Sequence, residues 1–205
     1  NLIIGRSGSG KTVLMKCLVG LHEVDSGTIL FNERNFSKMN FRERKKIRKE
    51  IGMLFQGGAL FDSMSVEENI MFPLSMYTKE PIDKKRERVN FCLKRVNLEG
   101  ANDLYPSELS GGMTKRVAIA RAISMNPKYL FCDEPNSGLD PATANLIDKL
   151  IKEITEEFKI TTVVNTHDMN SVIEIGDNIA FLYKGELWWE GSSSEILKTD
   201  NKEIQ

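Results

Sequence analysis

The pattern of apolar and polar positions predicts both short strands and longer helices. Short apolar runs indicate the strands, and apolar residues at helical spacing indicate the helices. Five apolar runs bounded by polar residues predict strands, at residues 2–4, 51–55, 129–132, 160–165 and 178–183. Three helices are predicted between them, at residues 11–22, 141–158 and 168–175. The first of these has an apolar side made of Val13, Leu14, Cys17, Leu18 and Leu21. Strands that alternate with helices predict an α/β fold with a largely parallel sheet.

Shorter signals complete the pattern at both ends of the chain. Residues 26–31 predict one more short strand. Lys184 and Gly185 have the composition of a hairpin turn, which predicts a second strand at residues 186–190. Ser192 and Glu195 have capping-box spacing and predict a closing helix.

The middle of the chain lacks strand patterns from about Gly57 to Ile123. Ser65 and Glu68 form a capping box that predicts a helix running to about Met76, and residues 82–97 predict a charged amphipathic helix. We therefore divide the chain into an α/β core, residues 1–56 and 125–205, and an inserted helical subdomain, residues 57–124. Because the chain starts without Met inside a predicted strand, we expect an N-terminal β segment to precede it.

The charge balance gives no general indication of a nucleic-acid partner. The chain carries 28 basic and 29 acidic residues, a formal net charge of -1. One run, residues 42–49, has six basic residues in eight positions. Glu43 and Glu50 interrupt it and no aromatic stacking platform accompanies it, so we interpret it as the solvated face of a helix and expect no nucleic-acid binding.

Cysteine usage and hydropathy point to a reducing compartment and no membrane span. Cys17, Cys92 and Cys132 are odd in number and widely spaced, which fits neither a disulfide framework nor a paired zinc motif. We expect each to be a small core residue. No apolar run approaches the roughly 20 residues that a transmembrane helix needs.

The sequence GRSGSGKT at residues 5–12 follows the first predicted strand and opens the first helix. It matches the pattern G-x-x-x-x-G-K-T, in which glycines let the loop wrap closely and backbone amides face phosphate. Lys11 is placed to neutralise β- and γ-phosphate charge, and Thr12 to offer a hydroxyl to Mg²⁺. Nucleoside triphosphate binding is predicted for this segment, with contributing residues Gly5, Ser7, Gly8, Ser9, Gly10, Lys11 and Thr12.

Polar residues follow three other predicted strands. Asp133 and Glu134 end the apolar run YLFC, where ligand chemistry is usual in α/β sheets. Asp133 is placed to join the Mg²⁺ shell, and Glu134 to accept a proton from an attacking water. Gln56 and His167 also follow strands, which predicts the same edge of the sheet. The alternative is that all four are ordinary solvated or capping residues at strand ends.

A second candidate anion site lies at Ser110, Gly111 and Gly112. These residues precede a predicted helix that mixes small apolar and basic side chains. A helix N-terminus with a serine and two glycines favours anion binding, although an ordinary N-cap has the same composition.

Taken together, these segments resemble the ATP-binding-cassette ATPases. Residues 5–12 resemble a Walker A motif, Gln56 the Q-loop, and residues 109–113 (LSGGM) the LSGGQ signature. Residues 130–134 resemble a Walker B motif with its glutamate, residues 136–140 (NSGLD) the D-loop, and His167 the switch histidine. The resemblance implies a P-loop NTPase with a RecA-like core, which binds ATP and Mg²⁺ and hydrolyses ATP.

The resemblance also implies roles for individual residues. Two copies of the chain would pack head to tail, so that Ser110, Gly111 and Gly112 of one close over the γ-phosphate held by Lys11 of the other. Glu134 would polarise the water, His167 would contact the γ-phosphate, and Gln56 would join the metal site. Asp140 would communicate across the interface. The chain departs from the family pattern at Met113, where glutamine is usual, and the adenine-stacking aromatic is expected upstream of residue 1.

Within the family, residues 58–69 (GALFDSMSVEEN) and 109–123 most resemble the ATPases of Mce-associated, Mla-type phospholipid transporters. That implies a peripheral subunit at the cytoplasmic face of the bacterial inner membrane, with separate permease subunits and a lipid-binding Mce-type protein as partners. The permease would dock on apolar residues after Gln56, among Phe61, Met64, Val66, Ile70, Phe72 and Leu74. Two alternatives stay open: a soluble ATPase of the same family, as in iron-sulfur cluster assembly, and a transporter of another substrate.

Overall fold

The computed structural model describes residues 1–201 and 203. The strands, in chain order, are β1 (Leu2–Ile4), β2 (Leu30–Phe31), β3 (Arg34–Asn35), β4 (Ile51–Leu54), β5 (Tyr129–Asp133), β6 (Thr161–Thr166), β7 (Asn178–Tyr183) and β8 (Glu186–Ser192). The helices are α1 (Lys11–Leu18), α2 (Phe41–Arg48), α3 (Val66–Tyr77), α4 (Ile82–Arg95), α5 (Gly111–Ile123), α6 (Pro141–Phe158), α7 (Met169–Ile175) and α8 (Ser193–Ile196).

Six of the strands form one sheet, in the order β4-β5-β6-β1-β7-β8. The first five are parallel, and β8 returns antiparallel to β7 through the predicted hairpin. The short strands β2 and β3 pair with each other apart from this sheet. Because these five strands are parallel, their carboxyl ends and the loops that follow them lie at the same edge of the sheet. The predicted α/β fold with a mostly parallel sheet is confirmed.

The sheet is covered on both faces, and β5 illustrates how. Tyr129 and Phe131 point to one face and pack with Met15 of α1, Phe31 of β2 and Ile47 of α2. The alternate residues Leu130 and Cys132 belong to the larger core on the other face. Period-two alternation along a strand buried on both sides explains why the whole run is apolar.

Helices α3, α4 and α5 lie between β4 and β5 in the chain and contact one another. Helix α3 begins at the predicted capping box, where Ser65 Oγ accepts from the amide of Glu68 and Glu68 Oε2 accepts from the amide of Ser65. Helix α5 also packs on β4, and Arg121 of α5 donates to the carbonyl oxygens of Gly58 and Ala59 at 2.7 Å. The loop after β4 is thereby tied to α5.

Helix α1 differs from the prediction in length and in its buried side. It ends at Leu18 because Gly20 takes a left-handed conformation (φ 74°) and the amides of Leu21 and His22 turn back to the carbonyl of Lys16. Met15 is buried, whereas Val13, Leu14 and Leu21 are exposed. The predicted apolar side was wrong because Lys11 must face the loop. Residues four and eight positions later lie on the same side of the helix, so Met15 and Val19 are the ones directed toward the sheet.

The structure also differs from the sequence analysis in the length of one strand, in the exposure of the apolar residues after Gln56, and in the burial of one cysteine. The strand expected at residues 26–31 is limited to the two-residue hairpin strand β2, and Gly27 lies in a left-handed bend (φ 98°). Of the apolar residues after Gln56, three pack inside the helical region: Val66, Ile70 and Leu74. Among the cysteines, Cys92 and Cys132 are buried as expected, but Cys17 is only half-buried.

The basic run forms most of α2, which begins at a capping box between Asn40 and Glu43. Arg44 pairs with Glu23, and Arg48 donates to the carbonyl oxygen of Gly20 at 3.0 Å. Arg42, Lys45 and Lys46 are exposed, as the sequence indicated, whereas Lys49 donates to the carbonyl oxygen of Tyr77 at 3.3 Å. Across the described part of the chain, no helix has the length and apolarity needed to cross a bilayer.

Candidate functional site

The loop of residues 5–12 joins the end of β1 to the start of α1. Gly5 has a φ of 151° and no room for a Cβ, which would meet the carbonyl oxygen of Leu182 on β7 at 2.3 Å. Gly10 is left-handed (φ 99°) and is the N-cap of α1. Only glycine suits both positions. The loop closes on itself through a hydrogen bond from the amide of Ser9 to the carbonyl of Arg6, 3.1 Å.

The N-terminus of α1 faces this loop without a side-chain cap. Lys11 is buried, and its Nζ donates to the carbonyl oxygens of Gly5 and Arg6 at 2.7 and 3.2 Å. Burial lowers the pKa of Lys11, while the charges of Glu134 and Asp133 oppose that shift. Ser9 Oγ is buried without a partner among the described residues, whereas Ser7 and Gly8 are exposed. Uncapped amides and a buried ammonium make this an anion-binding site.

Three side chains converge at the base of the loop. Thr12 Oγ1 donates to Asp133 Oδ1 at 3.1 Å, and Asn165 Nδ2 donates to the same oxygen at 2.5 Å. The oxygen donors of Thr12 and Asp133 suit Mg²⁺, which prefers hard oxygen ligands and uses few protein carboxylates beside phosphate and water. In the described residues no cluster of three or more His, Cys, Asp or Glu could hold a metal unaided. A magnesium ion that arrives with a polyphosphate fits this donor set.

Beside that group, Glu134 lies between the side chains of Gln56 and His167. Gln56 Nε2 donates to Glu134 Oε2 at 3.1 Å, and His167 Nδ1 lies 3.1 Å from Glu134 Oε1. Glu134 adopts a left-handed conformation (φ 46°), while its amide still continues the ladder to the carbonyl of Asn165 at 2.8 Å. That turn directs the carboxylate of Glu134 away from the one of Asp133. The strand ends thus bring four predicted residues together, because β4, β5 and β6 are neighbours.

Lys115 of α5 is a site residue that the sequence analysis missed. It is buried, and its Nζ donates to the carbonyl oxygen of Gln56 and, at 3.4 Å, to that of Glu134. Burial lowers the pKa of Lys115, against the opposing charges of Glu134 and Asp133. Its place among the basic residues of a helix gave no sign of burial. Only the packing of α5 against β4 shows that it reaches the site.

The other predicted residues lie in a separate cleft. Ser110 is the N-cap of α5 and accepts from the amide of Met113 at 3.3 Å, and Asp140 is the N-cap of α6, accepting from the amides of Ala142 and Thr143 at 3.1 Å. The cleft between these helix ends is lined by Ser110, Gly111, Gly112 and Asp140, and no residue of the 5–12 loop lines it. Within one chain, the structure does not bring the signature residues to the phosphate loop.

A parallel sheet whose first strand opens into this loop, with an aspartate and glutamate at the end of a neighbouring strand, defines a P-loop nucleoside triphosphatase. The sequence profile of the ABC transporter family matches residues 1–137. The chain belongs to the ABC transporter family, as its ATP-binding domain.

Individual relatives agree with this assignment. The chain is 47% identical over 182 residues to a methionine import ATP-binding protein, MetN, of Clostridium tetani, covering 88% of this chain and 56% of the relative. It is 39% identical over 202 residues to the intermembrane phospholipid transport system ATP-binding protein MlaF of Haemophilus influenzae, covering 98% of this chain and 76% of the relative. The chain thus spans little more than half of MetN.

Solved structures give the same result. A dimeric ATP-binding cassette in a post-hydrolysis state, bound to ADP and Pi, aligns with a TM-score of 0.85 and 34% identity, over 94% of this chain and 84% of that one. The structure of cbiO1 from Clostridium perfringens aligns with a TM-score of 0.87 and 35% identity, over 99% of this chain and 80% of that one.

Proposed function

We propose that this chain is the ATP-hydrolysing, nucleotide-binding subunit of an ABC transporter. The observation that carries the proposal is the position of Glu134 between Gln56 and His167, beside the Thr12–Asp133 pair. One carboxylate, that of Glu134, is thus oriented by Gln56 and His167 to act as a base, next to that of Asp133, which is suited to a metal. A P-loop protein that only binds nucleotide, without hydrolysing it, does not need a carboxylate that acts as a base.

In this proposal the polyphosphate of ATP lies against the amides of residues 5–12 and the ammonium of Lys11. Thr12 and Asp133 hold Mg²⁺, with Gln56 joining from the neighbouring strand, and the ion neutralises phosphate charge. Glu134 accepts a proton from the attacking water. His167 contacts the γ-phosphate and, through its hydrogen bond, keeps Glu134 oriented.

We further propose a head-to-tail dimer of two copies of the chain. Ser110, Gly111 and Gly112 lie at a helix N-terminus that is exposed or half-buried, so a second copy has access to them. That the aligned cassette is dimeric supports association of two copies. Asp140, at the start of α6 in the same cleft, then lies at the interface.

An apolar groove between β4, α3 and α5 is the proposed permease contact. Phe61 is exposed, and its ring packs against that of Phe72 with centroids 4.8 Å apart. Both line the groove together with Phe55, Tyr77, Arg48 and Arg121. Residues 57–124 then act as a helical subdomain that passes movement of the permease to Gln56. This contact would place the chain at the cytoplasmic face of the bacterial inner membrane.

For the substrate we propose lipid, with methionine as the second candidate. The resemblance of residues 58–69 and 109–123 to Mla-type ATPases supports lipid, whereas the match to MetN of Clostridium tetani has the higher identity, 47% against 39% for MlaF. A lipid-binding Mce-type protein belongs to the first possibility only. Purification of the complex from membranes and identification of its permease distinguishes the two, because the permease selects the substrate.

The test of the proposed function is Glu134→Gln in the complete transporter. We expect ATP hydrolysis to fall by roughly 10²- to 10⁴-fold, because the general base is lost. Binding of ATP, measured with a fluorescent analogue, is expected to persist. Glu156→Gln, an exposed change on α6, is the control and should hydrolyse ATP at the rate of the unsubstituted protein. Unchanged turnover in Glu134→Gln would contradict the assignment.

A further inference from the structure

The side chain of Asn165 is fully buried in the interior of the sheet, between neighbouring strands. It lies on β6, in register with Asp133 on β5 and Ile3 on β1, and its exposed fraction is 0%. A carboxamide in such a place destabilises the fold unless its donor and acceptor are both paired. The partners of its two polar atoms therefore indicate what the residue does.

The amide nitrogen is directed at the proposed metal ligands. Asn165 Nδ2 donates to Asp133 Oδ1 at 2.5 Å and lies 3.5 Å from Thr12 Oγ1. Because an ionised carboxylate only accepts hydrogen bonds, the nitrogen rather than the oxygen of Asn165 must face Asp133. This fixes the orientation of the carboxamide and leaves Oδ1 as its other polar atom.

That oxygen is unsatisfied. Asn165 Oδ1 is buried and has no hydrogen-bond partner among the residues that the structure describes. Buried acceptors in proteins are nearly always paired with protein or ordered water. The polar contacts that the structure gives this side chain are therefore those of its amide nitrogen with Asp133 and Thr12.

We propose that Asn165 is a positioning residue of the magnesium site. Its Nδ2 donates to Asp133 Oδ1 and holds that carboxylate in position for the ion. The inference rests on the proposed function, since the ion enters with ATP. Residues that hold metal ligands in this way typically change metal affinity by 10- to 100-fold when removed.

Mn²⁺ is the probe that tests this role, because its free form is quantified by electron paramagnetic resonance. The full chain carrying Glu134→Gln, which keeps ATP intact, is saturated with ATP and titrated with Mn²⁺. We expect Asn165→Val in that background to weaken Mn²⁺ binding by about 10-fold or more. ATP affinity in EDTA is expected to be unchanged, because Asn165 is proposed to act through the ion.

Thr162→Val is the matched control. Thr162 is also buried on β6, but its hydroxyl bonds to that of Thr155 at 2.6 Å and it lies in register with Leu130 rather than Asp133. Its Mn²⁺ affinity should equal that of the parent. Equal weakening in both variants would show a general effect on the strand and overturn the proposal. Equal affinity of Asn165→Val and the parent would overturn it also.

A second variant, and a measurement on the protein without any change at residue 165, keep the test valid if Asn165→Val fails to fold. Asn165→Leu keeps the number and branching of the side-chain heavy atoms without the polar ones, and should weaken Mn²⁺ binding as valine does. The parent is the Glu134→Gln protein without a change at residue 165. When its asparagine side chains are labelled with ¹⁵N, electron-nuclear double resonance should detect a dipolar coupling between bound Mn²⁺ and an amide nitrogen. Bound Mn²⁺ without that coupling overturns the role of Asn165 alone, whereas a parent that binds no Mn²⁺ with ATP overturns the proposed function as well.

Discussion

At the scale of single residues, the site depends on buried charges that are held by main-chain groups. Lys115 is the clearest case, because its ammonium joins the carbonyl oxygens of Gln56 and Glu134, which come from different strands. A displacement of about 1 Å in catalytic groups can cost 10²-fold in rate. Loss of this ammonium should therefore affect hydrolysis more than binding.

We expect Lys115→Met to lower the maximal rate of ATP hydrolysis by about 10-fold or more, with a smaller effect on KM, because Gln56 and Glu134 lose their common donor. Steady-state kinetics of the complete transporter measures both constants. Lys115→Arg should recover part of the rate. Lys94→Met, which removes an exposed charge from α4, is the control. A rate in Lys115→Met equal to that of the control would contradict this role.

Asp148 is a buried carboxyl that forms no ion pair with the residues that the structure describes. Its Oδ2 accepts from Asn136 Nδ2 at 3.1 Å and from Ser171 Oγ at 2.6 Å, which links α6 to the loop after β5 and to α7. Burial raises the pKa of Asp148 from 3.8 to about 6; Asp168 and Glu174 add to the shift, and the two hydrogen bonds oppose it. Folding therefore favours the protonated form of Asp148 more than the unfolded chain does.

This shift predicts a stability that falls as pH rises from about 4 to 6. The folded state binds the proton of Asp148 more tightly than the unfolded state. The contribution of this proton to the free energy of unfolding is therefore complete below about pH 4 and lost above about pH 6. The loss is at most about 3 kcal/mol, at 1.36 kcal/mol per pKa unit. We expect the difference in free energy of unfolding between the parent and Asp148→Asn to change by that amount, in urea titrations at pH 4 and 7. A constant difference would contradict the buried titration.

At the scale of elements, the close approach of β4 and α5 positions the loop after β4. A Cβ on Gly52 would meet the carbonyl oxygen of Ala122 at 2.4 Å, so the strand and helix are in contact through their backbones. The same helix supplies Lys115 and Arg121, both of which bond to carbonyls in the loop of residues 56–59. Any side chain at position 52 separates these elements.

We expect Gly52→Ala to destabilise the protein by about 1–3 kcal/mol, the usual cost of overpacking. Gly57→Ala is the control, since a Cβ there meets nothing within 4 Å and its φ is not positive. Urea denaturation of both variants measures the difference. Equal stability of the two would show that α5 moves away from β4 at little cost.

At the scale of the whole molecule, the phosphate loop and the signature residues lie in different places on one chain. The cleft at Ser110 and Asp140 includes none of residues 5–12. In the proposed dimer, a complete ATP site combines the phosphate loop of one copy with the signature residues of the other, and ATP should then control the association of the two.

Ser110→Asp tests that association. Aspartate retains the N-cap of α5, since it caps as well as serine, but adds a negative charge where the γ-phosphate of the partner's ATP would lie. In sedimentation velocity with ATP and Mg²⁺, Glu134→Gln should form dimers, and the added Ser110→Asp should abolish them. Ser65→Asp, at the N-cap of α3, should leave the dimer intact. Dimers of the Ser110→Asp protein would contradict the head-to-tail arrangement.

Local patterns were sufficient for most of the elements. The strand Asn178–Tyr183 and the helix Pro141–Phe158 have their predicted bounds, because period and capping are properties of neighbouring residues. The same is true of the loop at residues 5–12, whose glycines and lysine are contiguous. Element ends were less accurate where a tertiary contact decides them, as for α1, whose buried side follows from the direction of Lys11.

The sequence by itself determined the type of most elements, the order of the motifs and the chemical groups at the strand ends. Only the tertiary structure decided that Lys115 and Asn165 belong to the site, because each reaches it across the sheet or from another layer. Burial of a polar group depends on which elements pack together. That packing brings together residues more than 30 positions apart in the chain, such as Asn165 and Asp133, a relation that no local pattern records.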